Sequence, residues 1–334
     1  MIGGGPIGLA AAILAARRGL DVTVWERRPG VLDKACGEGL MPSALGALHE
    51  IGIDPVGHDI MGIRYCAGKN VAEAAFSRGC GRGVRRTVLH AALTEAAKDT
   101  GVHIVNRRAI DIVNHRSNVE VDGHHYDYLI GADGLHSHVR RALGLSIKSP
   151  QTRRFGQRAH FALAPWTDHV EVYWGRDCEI YVTPVATDLI GVAVLSATRA
   201  SFDEHLRGIP QLNRLHDLLH GTVVGAGPLR QRASAVRQGR SLLIGDAAGY
   251  IDALTGEGIA LGLAHAQAAI DAIVIDEPQR YQRSWRRATW RYEALTASLL
   301  RFTSNPWGRS LIVPLAQRVP KAFSGVVNVL AAGA

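Results

Sequence analysis

The chain begins with the glycine-rich run Met1-Ile2-Gly3-Gly4-Gly5-Pro6-Ile7-Gly8, followed by an alanine-rich stretch that ends at Gly19. An apolar stretch, Val22-Thr23-Val24-Trp25, and then Glu26 come next. Three glycines spaced Gly-x-Gly-x-x-Gly at a helix start, with an acidic residue about 20 positions further on, are the fingerprint of a dinucleotide-binding βαβ unit. The run therefore predicts a turn, a helix and a strand of a Rossmann-like α/β domain.

Each position of this fingerprint has a physical task. The first glycine makes a tight turn, the second lets the backbone approach a pyrophosphate, and the third lets the helix pack on the sheet. The helix start offers N–H groups to phosphate, and the acidic residue accepts hydrogen bonds from a ribose. The alternative is a structural glycine turn with a solvated acid. We predict a cofactor site formed by Gly3, Gly5, Pro6, Ile7, Gly8, Glu26 and Arg27.

The segment before the first glycine is short. Only Met1 and Ile2 precede Gly3, although a strand normally has about five residues. The short start indicates either a late start codon or a missing segment. We expect a short central strand in the sheet, with weakened stability or cofactor retention.

Composition restricts the class of protein. The 334 residues suit about two domains of roughly 100–200 residues each, and 47% apolar with 20% charged residues excludes disordered and fibrous chains. There are 37 glycines, where average usage of about 7% predicts about 23. The four cysteines form no Cys-x-x-Cys pair. We therefore expect neither a disulfide framework nor a metal site, and a cytoplasmic location.

The formal charge is 38 − 30 = +8. No block of five or six basic residues occurs, so a nucleic-acid partner is not predicted. The apolar run Ile7–Ala16 is shorter than the roughly 20 residues that a membrane span needs. Residues 280–292 are rich in arginine and aromatic residues. This segment is either a packed helix with its arginines in water, which we favour, or a contact with a membrane surface.

A second glycine-containing motif follows a short apolar stretch, Leu129-Ile130. It reads Gly131-Ala132-Asp133-Gly134 and is followed by Ser137 and Arg140 at helical spacing. The pattern places Asp133 at the carboxyl end of a parallel strand, which is where open α/β sheets bind ligands.

A third motif follows another apolar stretch, residues 240–244. It begins Gly245-Asp246, and Gly256-Glu257-Gly258 then starts a helix that we expect to reach Ile275. The positive end of that helix would stabilise an anionic group. Residues 155–195 have the alternation of an antiparallel sheet, and residues 201–220 are expected to be helical.

Together these motifs resemble those of the flavoprotein superfamily that contains the single-component aromatic hydroxylases (group A flavin monooxygenases) and the geranylgeranyl reductases. The resemblance covers most of residues 1–275 and implies FAD as cofactor. It places Asp246 at the ribityl chain, Arg86 at the pyrophosphate, and the helix start at the flavin ring, and it gives Asp133 a role through its backbone. The cofactor residues implied in this way are Arg86, Asp133, Gly134, Gly245, Asp246, Gly256, Gly258 and Ile259.

The loop Cys36-Gly37-Glu38-Gly39 resembles the loop that covers the flavin in geranylgeranyl reductases. The resemblance places Cys36, Gly37, Gly256 and Glu257 around the flavin ring; the alternative for Cys36 is a small buried apolar residue. Two features depart from the superfamily patterns: Ala253 stands where proline is usual, and Tyr181-Val182-Thr183-Pro184 lacks the tryptophan of the reductases. The Trp-x-Trp pattern of halogenases is absent, so halogenation is not expected.

The resemblance implies an oxidoreductase. The main prediction is an NAD(P)H-using flavin monooxygenase that hydroxylates an aromatic or polyketide-like small molecule with molecular oxygen. The alternative is a reductase of isoprenoid double bonds, and the third hypothesis is a non-catalytic flavin-binding protein. Nothing in residues 155–230 identifies the substrate, and the sequence does not indicate an oligomeric state.

The predicted fold class is α/β, a Rossmann-like FAD-binding domain of the glutathione-reductase type with an antiparallel substrate sheet and C-terminal helices. The expected division is as follows: residues 1–150 as the first part of the FAD-binding domain, with a substrate-domain insertion near 60–80; 151–232 as the sheet domain; 233–275 as the return to the FAD-binding domain; and 276–334 as a helical segment.

Overall fold

The computed structural model describes residues 1–148, 154–215, 218–254 and 256–333. Helices α1 to α9 follow one another along these residues. Their bounds are α1 (Pro6–Arg17), α2 (Pro42–Glu50), α3 (Arg86–Asp99), α4 (His138–Ala142), α5 (Phe202–Arg207), α6 (Gly258–Val274), α7 (Pro278–Thr303), α8 (Pro306–Arg318) and α9 (Pro320–Ala331).

The strands of the same residues are short in the first half of the chain and longer in the second. They are β1 (Thr23–Trp25), β2 (Gly39–Leu40), β3 (His58–Ile60), β4 (Gly62–Ala67), β5 (Asn70–Ala75), β6 (Gly81–Gly83), β7 (His103–Val105), β8 (Ile112–Asn114), β9 (Val119–Val121), β10 (His124–Tyr126), β11 (Leu129–Gly131), β12 (Ser146–Ile147), β13 (Phe155–Phe161), β14 (His169–Trp174), β15 (Cys178–Ala186), β16 (Leu189–Ser196), β17 (Leu219–Ala226), β18 (Arg232–Ala233), β19 (Arg237–Gln238) and β20 (Ser241–Leu243).

A parallel sheet forms the centre of the FAD-binding region. Strand β1 pairs with β7, and β11 pairs with β20, both in parallel. Ile2 joins these two halves through parallel bridges to Trp25 on one side and Gly131 on the other. Its N–H donates to the carbonyl oxygen of Ile130 at 2.9 Å. Ile2 therefore connects the two halves of the sheet.

Helices α1, α3 and α6 pack together on this sheet. Ala10, Ala11 and Ala12 of α1 have no exposed surface, because small side chains let helix and sheet approach closely. A Cβ on Gly262 of α6 would lie 2.6 Å from Ile7 of α1. This close contact brings the starts of both helices to the same region.

A seven-stranded sheet forms the second layer, with the order β17-β13-β16-β15-β14-β4-β5. Its neighbours are antiparallel except for β14 and β4. The predicted antiparallel sheet is therefore confirmed. Strands β4 and β5 bring residues 62–75 into this sheet from the early part of the chain.

The single helix expected over residues 201–220 is wrong. Ser201 and Glu204 form a reciprocal N-terminal cap, and α5 then ends at Arg207. Gly208 and Pro210 follow, and proline has no N–H with which to continue a helix. A 3-10 turn over Pro210–Leu215 and strand β17 take the remainder, apart from residues 216–217, which lie outside the described part.

The C-terminal helices pack on both layers. Helix α7 lies on α6, and the hydroxyl of its buried Tyr281 donates to the carbonyl oxygen of Leu243 at 2.6 Å. Helices α8 and α9 pack on β5. Within the described residues, no helix combines the length and hydrophobicity that crossing a membrane requires. The expected domain border at 150/151 lies outside the described residues, and the domain division stays a prediction.

Candidate cofactor and active site

The N-terminal glycine turn leaves no room for side chains. Gly3 has a φ of +108°, and a Cβ there would lie 2.4 Å from the carbonyl oxygen of Ala132 and 2.7 Å from the Cα of Asp133. A Cβ on Gly8 would lie 2.0 Å from the carbonyl oxygen of Gly3. The turn is pressed against the Asp133 motif, and only glycine allows this approach.

The N-terminus of α1 has no side-chain cap. Gly5 is the N-cap residue and Pro6 is the first helical residue. The N–H of Leu9 donates to the carbonyl oxygen of Gly5 at 2.9 Å, so the N–H groups of Ile7 and Gly8 have no partner within the helix. These groups and the positive end of the helix dipole together favour an anion.

The carboxylate of Glu26 lies at the end of β1, beside the glycine turn. It accepts hydrogen bonds from the N–H of Gly4 at 2.9 Å and of Arg28 at 3.0 Å, and it forms an ion pair with the Arg28 side chain at 3.2 Å. Burial alone would raise the pKa of Glu26, but these hydrogen bonds and the Arg28 charge lower it overall. Arg27, the predicted binding residue, is exposed, and its contact with the cofactor stays a prediction.

Three cations surround the glycine turn. Burial, together with the charges of Arg28 and Arg86, lowers the pKa of Lys34. A Cβ on Gly134 would lie 3.3 Å from Lys34 Nζ, and one on Gly5 would lie 4.0 Å from an Arg86 guanidinium nitrogen. Arg86 Nε is buried and has no hydrogen-bond partner. The cluster has an excess of positive charge at the place where the turn offers free N–H groups.

The Asp133 side chain is occupied within its own motif. Its carboxylate accepts hydrogen bonds from the Ser137 hydroxyl at 2.5 Å and from the N–H groups of His138 at 2.6 Å and Val139 at 3.1 Å. Asp133 thus stabilises the start of α4. What it presents to the glycine turn is backbone, which agrees with the role that the resemblance gives it.

Arg140 connects the second motif with the third. It is 2% exposed and donates to the carbonyl oxygens of Asp246 at 3.2 Å, Ala247 at 2.9 Å and Leu135 at 2.9 Å. It also donates to the side chain of Gln231 at 3.2 Å. Arg140 therefore fixes the backbone of one motif relative to the other.

Asp246 lies just after β20, opposite the glycine turn. Gly245 has a φ of +55°, and a Cβ there would lie 3.3 Å from Ile7. Burial raises the pKa of Asp246, and the charges of Lys34, Arg86 and Arg140 offset this only in part. Asp246 is therefore within electrostatic range of the cation cluster, and the third motif meets the first.

The start of α6 carries the Gly256-Glu257-Gly258 turn. Gly256 has a φ of +71°, and Glu257 is 7% exposed. Burial raises the pKa of Glu257 to about 8. The ring of Tyr250 lies 3.8 Å from a Cβ on Gly258, and half-buried Ile259 packs against the main core. Residue 255 lies outside the described part of the chain.

The Cys36–Gly39 loop is fastened to the seven-stranded sheet. Thr183 of β15 donates its hydroxyl to the carbonyl oxygen of Gly37 at 2.9 Å. Cys36 is half-buried, and it is one of the groups that raise the pKa of the Tyr250 phenol, after burial and the larger contributions of Tyr292, Asp246 and Asp252. The Cys36 thiol and the Gly258 turn are therefore both within interaction range of Tyr250.

These residues fit the cofactor that the resemblance implies. An uncapped helix start, an orphaned Arg86 guanidinium nitrogen and an excess of positive charge together suit an anionic partner, which a pyrophosphate supplies. Glycine at positions 3 and 8 exposes backbone where an adenine dinucleotide must approach. Glu26 remains an acceptor suited to ribose hydroxyls.

A dinucleotide cradle on a parallel sheet, opening toward a second antiparallel layer, defines the class of FAD-dependent oxidoreductases. Residues 1–210 match the FAD binding domain family, and the chain belongs to that family.

The relatives of the chain include reductases. A menaquinone reductase of Mycobacterium tuberculosis is 29% identical over 311 residues, which cover 82% of this chain and 75% of the relative. A digeranylgeranylglycerophospholipid reductase of Methanothrix thermoacetophila is 26% identical, with 86% of this chain and 82% of the relative covered.

Among solved structures, p-nitrophenol 4-monooxygenase from Pseudomonas putida superposes with a TM-score of 0.81 at 19% identity. The superposition covers 99% of this chain and 97% of that chain. At this level of identity it shows the common fold alone.

Sequence reasoning missed three features of the site. Lys34 and Arg28 belong to the cation cluster, and Glu38 is buried against the second sheet. Lys34 lies two residues before Cys36, within a loop already noted for its glycines, so a basic residue there was a usable signal. The partner of Glu38 comes from β13, more than 100 residues away, and no local pattern indicates it.

Proposed function

We propose that this protein is an FAD-dependent reductase of an isoprenoid lipid, with menaquinone or a prenyl chain as substrate. The observation that carries the proposal is the Cys36–Gly39 loop, which resembles the reductase loop and is held between Thr183 of the seven-stranded sheet and the N–H of Arg86 at the start of α3. The reductases among the curated relatives support the same reading.

Each motif would hold one part of the cofactor. The start of α1, Arg86 and Lys34 would hold the pyrophosphate, and Glu26 the adenosine ribose. Asp246 would bind the ribityl chain, and the Gly256–Gly258 turn would lie against the flavin ring. Bound FAD would supply hydride-transfer chemistry, with NAD(P)H as reductant.

The chain's own residues would orient the substrate and exclude water from it. The Cys36–Gly39 loop and Tyr250 would form the wall between the flavin ring and the seven-stranded sheet. Saturation of a carbon–carbon double bond adds one hydride and one proton across it, the hydride originating from NAD(P)H and the proton from solvent or a protein group. A dry, largely apolar wall suits an isoprenoid chain.

Hydroxylation by a monooxygenase, the main prediction from the sequence, is the second candidate. It is favoured by Thr183, because Tyr181-Val182-Thr183-Pro184 lacks the tryptophan of the reductase pattern. The monooxygenases of known structure support the fold alone, whereas the curated relatives named above are reductases. We therefore place reduction first.

A lipid substrate requires access to a membrane, and helix α7 offers a suitable surface. The helix packs through Tyr281 and leaves Arg283, Arg287 and Trp290 exposed on one face, at i, i+4 and i+7. Trp290 is 59% exposed, and the Arg291 guanidinium lies 5.5 Å from its ring. We propose that this arginine face contacts an anionic phospholipid surface.

The function is tested with purified protein reconstituted with FAD. Under anaerobic conditions, NADPH should be consumed only when menaquinone or a geranylgeranyl compound is added, and mass spectrometry should show a product with two more hydrogens. Consumption that requires oxygen and an aromatic substrate, with an added oxygen atom in the product, would support the second candidate. A protein that binds no FAD would contradict both.

A further inference from the structure

The Cys36–Gly39 loop contains an acidic residue in an unusual backbone conformation. Glu38 has a φ of +60° and is 4% exposed. This left-handed region is uncommon for residues other than glycine, and it carries a conformational cost. Gly37 and Gly39 flank Glu38, yet the left-handed conformation falls on the charged residue between them. Interactions of the Glu38 side chain must compensate for the strain.

Both carboxylate oxygens of Glu38 are occupied, each by a different layer of the protein. Oε1 accepts the N–H of Arg86, the first residue of α3, at 2.8 Å. Oε2 pairs with Nε2 of His160 on β13 at 2.7 Å. Glu38 therefore connects the cofactor-binding helix with the seven-stranded sheet through one buried side chain.

The hydrogen bonds of His160 have a defined direction. The ring is 3% exposed, and its Nδ1 faces an Arg158 guanidinium nitrogen at 3.2 Å. A guanidinium only donates, so Nδ1 accepts and the ring proton is on Nε2, which donates to Glu38. Arg158 in turn pairs with Asp33, just before the loop. The chain of donors runs from Arg158 through His160 to Glu38.

The sheet is shaped to receive this carboxylate. Gly191 of β16 pairs with His160 of β13 and with Thr183 of β15. A Cβ on Gly191 would lie 2.7 Å from Glu38 Oε2. Glycine within a strand marks a close approach of another group, and here the approaching group is the loop acid. The loop thus contributes the Glu38 carboxylate, and the sheet contributes the space that Gly191 leaves for it.

We propose that Glu38 and His160 are positioning residues that hold Cys36 and Gly37 at a fixed place between α3, the seven-stranded sheet and the cofactor site. The backbone N–H of Glu38 also donates to the Cys36 sulfur at 3.4 Å, so the position of Glu38 directly affects the position of the thiol. The catalytic consequence rests on the proposed reductase function, whereas the placement of the loop does not.

Because the donor and acceptor of each hydrogen bond are known, variants can be chosen that remove or retain individual contacts. In Glu38→Gln, both contacts lose the charge of the acceptor, and whichever donor, Arg86 N–H or His160 Nε2–H, faces the amide nitrogen loses its acceptor altogether. His160→Leu removes both ring contacts. His160→Gln retains a donor toward Glu38 and an acceptor toward Arg158, so it serves as the conservative control.

The test measures alkylation of Cys36 in the FAD-loaded protein, with Cys36→Ser as the background for the half-buried Cys80. We expect Glu38→Gln and His160→Leu to react about 10- to 100-fold faster, the range expected when a hydrogen bond to a charged group is lost. His160→Gln should react within about threefold of the natural protein. The flavin absorption band should shift in the first two variants alone.

In the reductase assay the same two variants should lose kcat while KM for NADPH stays unchanged. Equal alkylation rates and unshifted flavin spectra in all folded variants would overturn the proposal. If Glu38→Gln does not fold, the comparison of His160→Leu with His160→Gln still decides it. Absence of reductase activity in the natural protein would count against the proposed function and leave the alkylation result intact.

Discussion

At the scale of single residues, burial changes the acid–base behaviour of Glu257. Burial raises its pKa from 4.5 to about 8. Between these values the folded chain retains a proton that the unfolded chain has released, so this group lowers the free energy of unfolding as pH rises from 4.5 to 8. At low pH the Glu257 carboxyl is protonated in both states, and it then has no effect on the free energy of unfolding. The effect comes from its position before α6 and not from any charged neighbour.

We expect Glu257→Gln to raise the free energy of unfolding of the FAD-free protein by about 2–4 kcal/mol at pH 8, because the amide stays neutral. At pH 4.5 the variant and the natural protein should be nearly equal. Urea unfolding at both pH values measures the difference. Glu50→Gln, at an exposed acid, is the control. An equal gain at both pH values would show that the effect is not linked to the carboxyl proton.

At the scale of elements, Arg140 joins α4 to the turn after β20. Burial lowers the pKa of Arg140, although Asp133 and Asp246 oppose this. Its guanidinium donates to three carbonyl oxygens and one side-chain amide, which come from three places in the chain: Leu135, Gln231 and residues 246–247.

We expect Arg140→Met to lower the free energy of unfolding by about 3 kcal/mol or more, because it leaves several buried acceptors unpaired. FAD affinity should fall in the same variant, since the Asp246 turn loses its support. Urea unfolding and flavin fluorescence titration measure the two effects. Arg141→Met, at an exposed neighbour, should change neither; a comparable loss there would show that the effect is not specific to the buried guanidinium.

At the scale of the whole molecule, two groups of basic residues contribute to the net charge of +8. One group of cations surrounds the glycine turn and faces the cofactor region. Another lies on the outer face of α7, where Arg283, Arg286 and Arg287 are exposed. The buried side of α7 packs on α6, and the exposed arginines carry the proposed phospholipid contact.

We expect the protein to sediment with phosphatidylglycerol vesicles and not with phosphatidylcholine vesicles. The triple variant Arg283→Gln/Arg286→Gln/Arg287→Gln should bind at least about tenfold more weakly, because each basic residue near an anionic surface contributes roughly 1 kcal/mol. Arg108→Gln/Arg116→Gln, on exposed arginines elsewhere, is the control. Equal binding of all three proteins would contradict the assignment of this face.

The local patterns predicted much of the fold and the general location of the site. The glycine fingerprint, the Asp133 motif and the Gly245 motif each follow a short parallel strand, or in the first case Ile2, and the structure brings them together. Their spacing was informative because glycine requirements and helix starts are local. The helix over 201–220 was wrong because Gly208 and Pro210 interrupt an otherwise compatible pattern, and the Arg27 contact with the cofactor remains untested.

The sequence by itself placed glycine at positions 3 and 8, where the backbone of the turn contacts backbone and leaves no room for a side chain. This local pattern was enough to predict a dinucleotide-binding chain. Only the tertiary structure decided which charges are buried and what faces them. Glu38 meets His160 across 122 positions of sequence, and Arg140 meets Asp246 across 106. Hydrogen bonds and desolvation depend on distance in space, and strand pairing in the folded sheet, not spacing along the chain, determines that distance.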